Sequence, residues 1–350
     1  MIDLPTTMTG VLMTGHGGPE KLEYRKDIPL PVMGKRDVLI RVGAAGVNNT
    51  DINTRIGWYA KSDGNTEDAS WSGEALNFPR IQGADVAGEI VAAGSEVDQN
   101  RIGERVLVEP CLTEVGGQQP PHPWYFGSEC NGGFAQFTTV AARHAYRIDS
   151  ELSEVDLASF PCSYSTAENM LTRTSTSAGD RVLVTGASGG VGSATVQLAK
   201  ARGAEVIAVT SPSKSNGLVA LGAAQTIGRN ENLKVALGEN SIDVVIDLVA
   251  GPAWPNLLDV LRPFGRYAVA GAIAGPLVEL DVRTLYLKDL SFFGCTVLDP
   301  KVFKNLIRLI ETKAIKPLVA EVFPLENIGE AQTVFQSKKH TGKIVLQIPS

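Results

Sequence analysis

The stretch Thr185-Gly186-Ala187-Ser188-Gly189-Gly190-Val191-Gly192 follows the short apolar run Arg181–Thr185 (RVLVT) and opens Val191–Arg202, where apolar residues recur at helical spacing. A strand that turns into a helix through glycines lays backbone amides against a phosphate group. Gly189 lets the backbone approach a pyrophosphate, and Gly192 allows close packing of the helix on the sheet. The amides of Ser188, Gly189, Gly190 and Val191, with the helix dipole behind them, hold the negative charge. The motif departs from G-x-G-x-x-G because Ala187 holds its first position. A glycine-rich turn alone says little, but here the strand before it, the helix after it and the next strand, Glu205–Thr210 (EVIAVT), all fit.

The end of that next strand selects the dinucleotide. An NAD site places Asp or Glu about 20 residues beyond the glycines to bind the ribose hydroxyls. The chain instead reads Thr210-Ser211-Pro212-Ser213-Lys214, with no acid to repel a 2′-phosphate. Thr210, Ser211 and Lys214 therefore predict NADP(H). The competing reading is that Ser211 and Lys214 only cap and solubilise the next helix.

Outward from this motif, strands and helices alternate. Helices are expected near Lys214–Leu221 and Trp254–Leu261, and strands at Asp243–Leu248 (DVVIDL) and Arg266–Ala270 (RYAVA). That order implies a parallel sheet covered on both faces. An amphipathic helix, Lys301–Glu311, then leads to a final strand, Lys343–Ile348. Before about Glu151 the chain reads as β-rich, with runs such as Asp37–Val42, Ala87–Ala92 and Glu104–Val108. Two long polar or Gly/Pro-rich stretches, Ala60–Pro79 and Thr113–Gly133, interrupt it.

At 350 residues, with 43% hydrophobic and 20% charged residues, the chain has the composition of a globular protein of about two domains. A net charge of -6 argues against nucleic acid or an anionic membrane as the main partner. Four widely spaced cysteines without Cys-x-x-Cys predict neither a disulfide framework nor a structural zinc lobe. The first residues lack a basic, apolar leader, and no apolar run reaches membrane-spanning length, so a cytoplasmic protein is expected.

Several motifs in order carry a family resemblance: His16–Leu22 (HGGPEKL), Gly46–Asp51 (GVNNTD), Gly83–Gly88 (GADVAG), Pro161–Thr166 (PCSYST), Gly186–Lys200, Leu221–Ala223 (LGA) and Gly342–Leu346 (GKIVL). Over nearly its whole length the chain resembles the medium-chain dehydrogenase/reductases, in particular their zinc-less quinone oxidoreductase branch. The resemblance implies an α/β fold, a Rossmann doubly wound parallel sheet plus a chaperonin-10-like β-barrel domain. The barrel is expected from residues 1–150 and 300–350, the Rossmann domain from 151–299, and the active site in the cleft of the pair. It also implies a homodimer joined through an edge strand, for which Ser291–Val297 (SFFGCTV) is the candidate.

Catalytic zinc in this superfamily takes a Cys, a His and a second Cys or Asp, leaving one open position. Alignment of the motifs puts Asn48 at the first Cys and Ala84 at the His; Cys162 survives, and Asp85 follows where zinc enzymes commonly carry Glu. The expected metal content is none, with Asp51 organising the Asn48 turn and Cys162 a small buried thiol. Without metal, hydride transfer to an electron-poor acceptor, a quinone or an α,β-unsaturated carbonyl, remains the natural chemistry. The resemblance places Asn48 and Thr166 near nicotinamide and substrate, with Asn48 donating to a developing oxyanion; the alternative for Asn48 is a turn residue bonded to its own backbone. Tyr59, Tyr164 or water supplies the proton. Trp58, Tyr59 and Trp71 are expected to line a wall for a flat acceptor. Val249, Gly271, Ala272, Phe293, Gly294 and Lys343 complete the cofactor site by the same likeness. Two alternatives stay open: an NADP alcohol dehydrogenase that does bind zinc, and a catalytically weak NADPH-binding protein.

Overall fold

The computed structural model describes residues 4–60, 70–72 and 75–350. The chain divides into two compact units, one of Met1–Cys162 with Pro317–Ser350, the other of Ser163–Lys316. Both divisions fall later than the composition shift suggests. The first lies inside the helix Pro161–Arg173, and the helix Pro300–Glu311 stays with the second unit. There Asp299 and Asn305 tie that helix to Asn169 and Glu168, through bonds of 3.2 and 2.6 Å. A change in strand spacing marks where a sheet type begins, not which unit claims the flanking helices.

The second unit is built on six parallel strands. Their order across the sheet is Gln225–Gly228, Glu205–Thr210, Arg181–Val184, Ile242–Asp247, Leu261–Val269 and Ser291–Gly294. Numbered along the chain that is 3-2-1-4-5-6, the doubly wound dinucleotide-binding order. The inner strands read as unbroken apolar runs because helices cover both faces; Val182, Leu183, Val184, Val206, Ile207, Val244 and Val245 are all completely buried. Leu183, Ile207 and Val245 share a core with Trp254, Leu257, Leu258 and Tyr267. Strand order reverses between Arg181–Val184 and Ile242–Asp247, and at such a reversal the carboxyl ends of the strands leave a crevice.

In the first unit the main sheet runs Val319–Pro324, Lys343–Gln347, Asp37–Val47, Asp85–Ala93, Arg105–Val108, Ala145–Arg147, with Phe137–Ala141 also paired to Asp37–Val47. All pairs are antiparallel except the first. Val38, Ile40, Val86, Ile90, Val106, Phe134, Ile344 and Leu346 form its core. Gly46 lies opposite Asp85, and Val47 opposite Ile344. These two registers bring Asn48, Asp85 and Lys343 to the same end of the sheet.

Sequence periodicity does not reveal the hairpin Thr7–Met13 with Leu22–Pro29 or the helix Ile328–Ser337, and it marks Pro161–Arg173 only as a motif. No described helix is long and apolar enough to cross a membrane.

Candidate active site

The glycine loop is the centre of the second unit's candidate cofactor site. Gly186 sits at φ +58, and the helix Gly190–Ala201 starts from Gly189 in extended conformation. The amides of the first helical turn have no intrahelical acceptor. A side chain at Gly192 would meet the Gly186 carbonyl oxygen and the Ala187 backbone far inside contact distance. Gly189 differs: a Cβ there would meet only the Gly186 oxygen, at 3.5 Å. Gly192 thus serves the fold, while the bareness of Gly189 serves nothing in the chain itself and leaves room for a ligand.

Val249, Gly271, Ala272, Phe293 and Gly294 stand at or just beyond the carboxyl ends of neighbouring strands, as Thr185 and Ser188 do. The second unit therefore gathers these expected cofactor residues along one sheet edge. Asp247, which carries no signal in the sequence beyond its place in an apolar strand, holds that edge in shape. Fully buried, it accepts from the Thr185 hydroxyl at 2.5 Å, the Val249 amide at 2.9 Å and the Tyr267 hydroxyl at 2.7 Å. The turn it fixes includes Ala250 at φ +51 and Gly251 at φ +72.

Thr210 lies opposite Gly228 in the strand register, which sets Ser211 beside Arg229. The Thr210 hydroxyl oxygen is buried without a hydrogen-bond partner. Desolvation, and after it the charge of Arg229, lowers the Lys214 ammonium below the usual lysine value. Two cations held near one another beyond these strand ends suit an anion, and the buried Thr210 hydroxyl does not reach it. The nearby acid, Glu231, is turned back onto the Gly228 amide at 2.7 Å. These residues fit a dinucleotide with a 2′-phosphate. Arg229 is absent from the sequence expectation; a lone arginine after a strand carries no local signal.

The first unit holds a buried polar cluster. The Lys343 ammonium, 2% exposed, donates to Asn48 Oδ1 at 2.5 Å and to Asp85 Oδ2 at 2.7 Å. Asp85 Oδ1 accepts from the Cys162 amide at 2.5 Å. Gly46 is required beside it, since a Cβ there would lie 2.5 Å from the Asp85 carboxylate. Asp51 closes a capping box for the helix Asn49–Arg55, accepting from the Asn48 amide at 2.7 Å. Burial, opposed by that bond and by Lys343, pushes the Asp51 carboxyl up to about 7. Burial and then Asp85 push the Cys162 thiol up to about 12, so it stays protonated at neutral pH. Its sulfur lies 2.9 Å from the Tyr125 hydroxyl, and Trp71 packs on the Tyr125 ring at 5.3 Å between centroids.

Three expectations change against this geometry. Asn48 is expected as a donor to substrate. Both of its Nδ2 hydrogens are taken, by Asp85 at 2.9 Å and by the Gly46 carbonyl at 3.3 Å, and the residue is only 5% exposed. Lys343 is expected as a cofactor residue, but its ammonium is committed within the cluster. Tyr164 is expected as a proton donor, but its hydroxyl donates to the Lys316 carbonyl at 2.7 Å and accepts from Gln197 at 2.8 Å. Tyr59 bonds to the Thr50 hydroxyl at 3.2 Å, with Trp58 edge-on to its ring; Thr166 is half-buried on Pro161–Arg173. Trp58, Tyr59 and Trp71, the aromatics of the expected wall, are described, whereas residues 61–69 and 73–74 of its loop lie outside the described residues.

The cluster's donor set does not suit zinc. Asn48 and Asp85 already share a cation, and Ala84 offers no donor. Among the described residues no three His, Cys, Asp or Glu side chains are grouped to hold a metal ion.

Fold and site together define a nicotinamide-dependent oxidoreductase with separate nucleotide and barrel-type units. Residues 34–150 match the alcohol dehydrogenase GroES-like domain and residues 190–312 the zinc-binding dehydrogenase family. The chain belongs to the medium-chain dehydrogenase/reductase superfamily. It is 45% identical to a solved candidate alcohol dehydrogenase from Sinorhizobium meliloti 1021, with a TM-score of 0.92 and coverage of 100% of this chain and 99% of that one. Quinone oxidoreductase of Mus musculus is 29% identical over 97% of both chains. An NAD-dependent alcohol dehydrogenase of Sulfolobus acidocaldarius is 28% identical over 97% of this chain and all of its own.

Proposed function

We propose that the protein is a cytoplasmic, NADPH-dependent reductase of quinones or α,β-unsaturated carbonyls that works without a catalytic metal ion. The observation that carries this reading is the Lys343 ammonium, bonded to the two residues, Asn48 and Asp85, that stand at or beside metal-ligand positions of zinc relatives. With Asp85 paired and Asp51 half-protonated near neutrality, the cluster's charges nearly cancel. Such surroundings suit an uncharged, flat, electron-poor acceptor, as Trp71 over Tyr125 also does. Bound nicotinamide would supply hydride. The chain's own part is to hold it: the amides of Ser188, Gly190 and Val191 on the pyrophosphate with Gly189, its amide bonded to the Gly186 carbonyl, giving the room, Ser211, Lys214 and Arg229 on the 2′-phosphate, and Val249, Gly271, Ala272, Phe293 and Gly294 along the strand ends. Thr166 and Tyr59 remain the proposed neighbours of the acceptor. The likeness to Mus musculus quinone oxidoreductase supports the acceptor class.

A second reading, an alcohol dehydrogenase, draws on the Sinorhizobium and Sulfolobus relatives. One experiment separates them: NADPH and NADH oxidation at 340 nm by chelator-treated protein, with a quinone, an enone and a simple aldehyde. Turnover of the quinone or enone with NADPH supports the reductase. Aldehyde reduction that disappears with chelator and returns with zinc supports the dehydrogenase and overturns the metal-free assignment.

The open edge of the parallel sheet, Ser291–Gly294, is flanked by exposed Leu277, Val282, Tyr286 and Leu287. We read this face as the contact surface of a homodimer.

A further inference from the structure

Asn48, Lys343, Tyr59 and Tyr164, four side chains expected near the substrate or cofactor, are bonded to oxygen acceptors, so the hydrogen held most weakly beside them is the readier donor. Asn48 gives its amide hydrogens to a carboxylate and a carbonyl. Lys343 gives two to Asp85 and Asn48. Tyr59 bonds to a hydroxyl, and Tyr164 to a carbonyl. Tyr125 alone rests against sulfur: its hydroxyl has Cys162 Sγ as its partner, at 2.9 Å. A thiol sulfur is a weak acceptor and S–H a weak donor. The phenolic hydrogen can therefore turn to a better acceptor at little cost.

We propose that the Tyr125 hydroxyl is the hydrogen-bond donor to the acceptor's oxygen, a catalytic residue brought to the site by the Thr113–Gly133 segment. Two placements support it. Tyr125 packs with Ala84 and Cys162, and Cys162 gives its amide to Asp85, so the phenol adjoins the buried polar cluster. Its ring also lies under Trp71, at a tilt of 36°, which gives a flat acceptor an aromatic surface to lie along. The segment's local bonding aims the residue. The strand pair Cys111–Leu112 with Trp124–Tyr125 sets the register, and the Tyr125 amide donates to Glu129 at 2.8 Å. The phenol donates a hydrogen bond and keeps its proton, because burial holds its pKa well above the usual tyrosine value. The proton that completes the reduced product comes from water.

This inference rests on the reductase reading, and its test is chosen so that the two can fail separately. The probe is 4-nitrophenolate, an oxyanion stand-in, titrated into protein saturated with NADP+ and followed by its visible absorbance. Wild type is expected to bind it at least tenfold more tightly than Tyr125→Phe, which keeps the ring and its packing. With quinone or enone, kcat of that variant should fall at least tenfold, with NADPH affinity unchanged. A Cys162→Ala variant removes the resting partner of the phenol, so its phenolate affinity should hold or rise. Equal phenolate affinity in wild type and Tyr125→Phe, no phenolate binding by the wild type, or a tenfold loss in Cys162→Ala overturns the assignment. If the phenolate difference appears but neither quinone nor enone is reduced, Tyr125 stands as the oxyanion donor and the reductase reading falls.

Discussion

Asp51 is a carboxyl that burial makes reluctant to ionise, and the consequence has a definite sign. Unfolded, it titrates near the ordinary Asp value, about 3.9; folded, it does so at about 7. Its contribution to stability is therefore complete below about pH 4 and is lost as pH rises toward 7, after which it stays flat. Asp51→Asn keeps an oxygen for the Asn48 amide and removes the charge. Its melting temperature should exceed the wild type's by a few degrees at pH 8 and match it at pH 4; thermal denaturation at both pH values checks this. Lys214 and Arg229 form a pair with the opposite logic, cations placed to hold an anion. Lys214→Ala and Arg229→Ala should each raise the KM for NADPH at least tenfold and change that for NADH less than threefold. Equal effects on both cofactors would remove the 2′-phosphate assignment.

Two glycines three residues apart allow fold and binding to be separated within one element, the helix Gly190–Ala201 and its turn. Gly192→Ala drives a methyl into the Gly186 carbonyl, so it should destabilise the protein by about 1–3 kcal/mol in chemical denaturation. Gly189→Ala meets nothing closer than 3.5 Å in the chain. It should leave stability nearly unchanged while weakening NADPH binding at least tenfold, measured by quenching of protein fluorescence. This element was legible in the sequence because all that it needs is local: a short strand, a turn and a helix start within a dozen residues. The strand ends that extend the cradle were named through the family resemblance, since the alternation of strand and helix gives the strands but not which of their terminal residues face a cofactor. Asn48 and Lys343 were legible as positions but not as partners. They lie 295 residues apart, and only the antiparallel register at Val47 and Ile344 joins them. Tyr125 was opaque for another reason: Thr113–Gly133 has neither helical nor strand periodicity, so nothing local shows which of its side chains points inward.

At the scale of the molecule the open sheet edge makes its own prediction. Leu287 is 71% exposed beside Ser291–Gly294, on a face with no partner strand among the described residues. An open strand edge, even one of four residues, invites pairing with another chain when exposed apolar side chains adjoin it. Leu287→Lys with Phe292→Lys should turn a dimer into a monomer in light scattering. A wild type that is already monomeric would refute the dimer. The Lys343 cluster also has a consequence for how the protein comes into being. During synthesis the carboxylates of Asp51 and Asp85 leave the ribosome long before the one ammonium that neutralises them, and a buried charge without its partner is strongly unfavourable. The first unit therefore cannot close over its own site until the strand that begins at Lys343 has been added. A chain truncated upstream of Lys343 is expected to expose this region to protease faster than the full-length chain does, which limited proteolysis of the two would check.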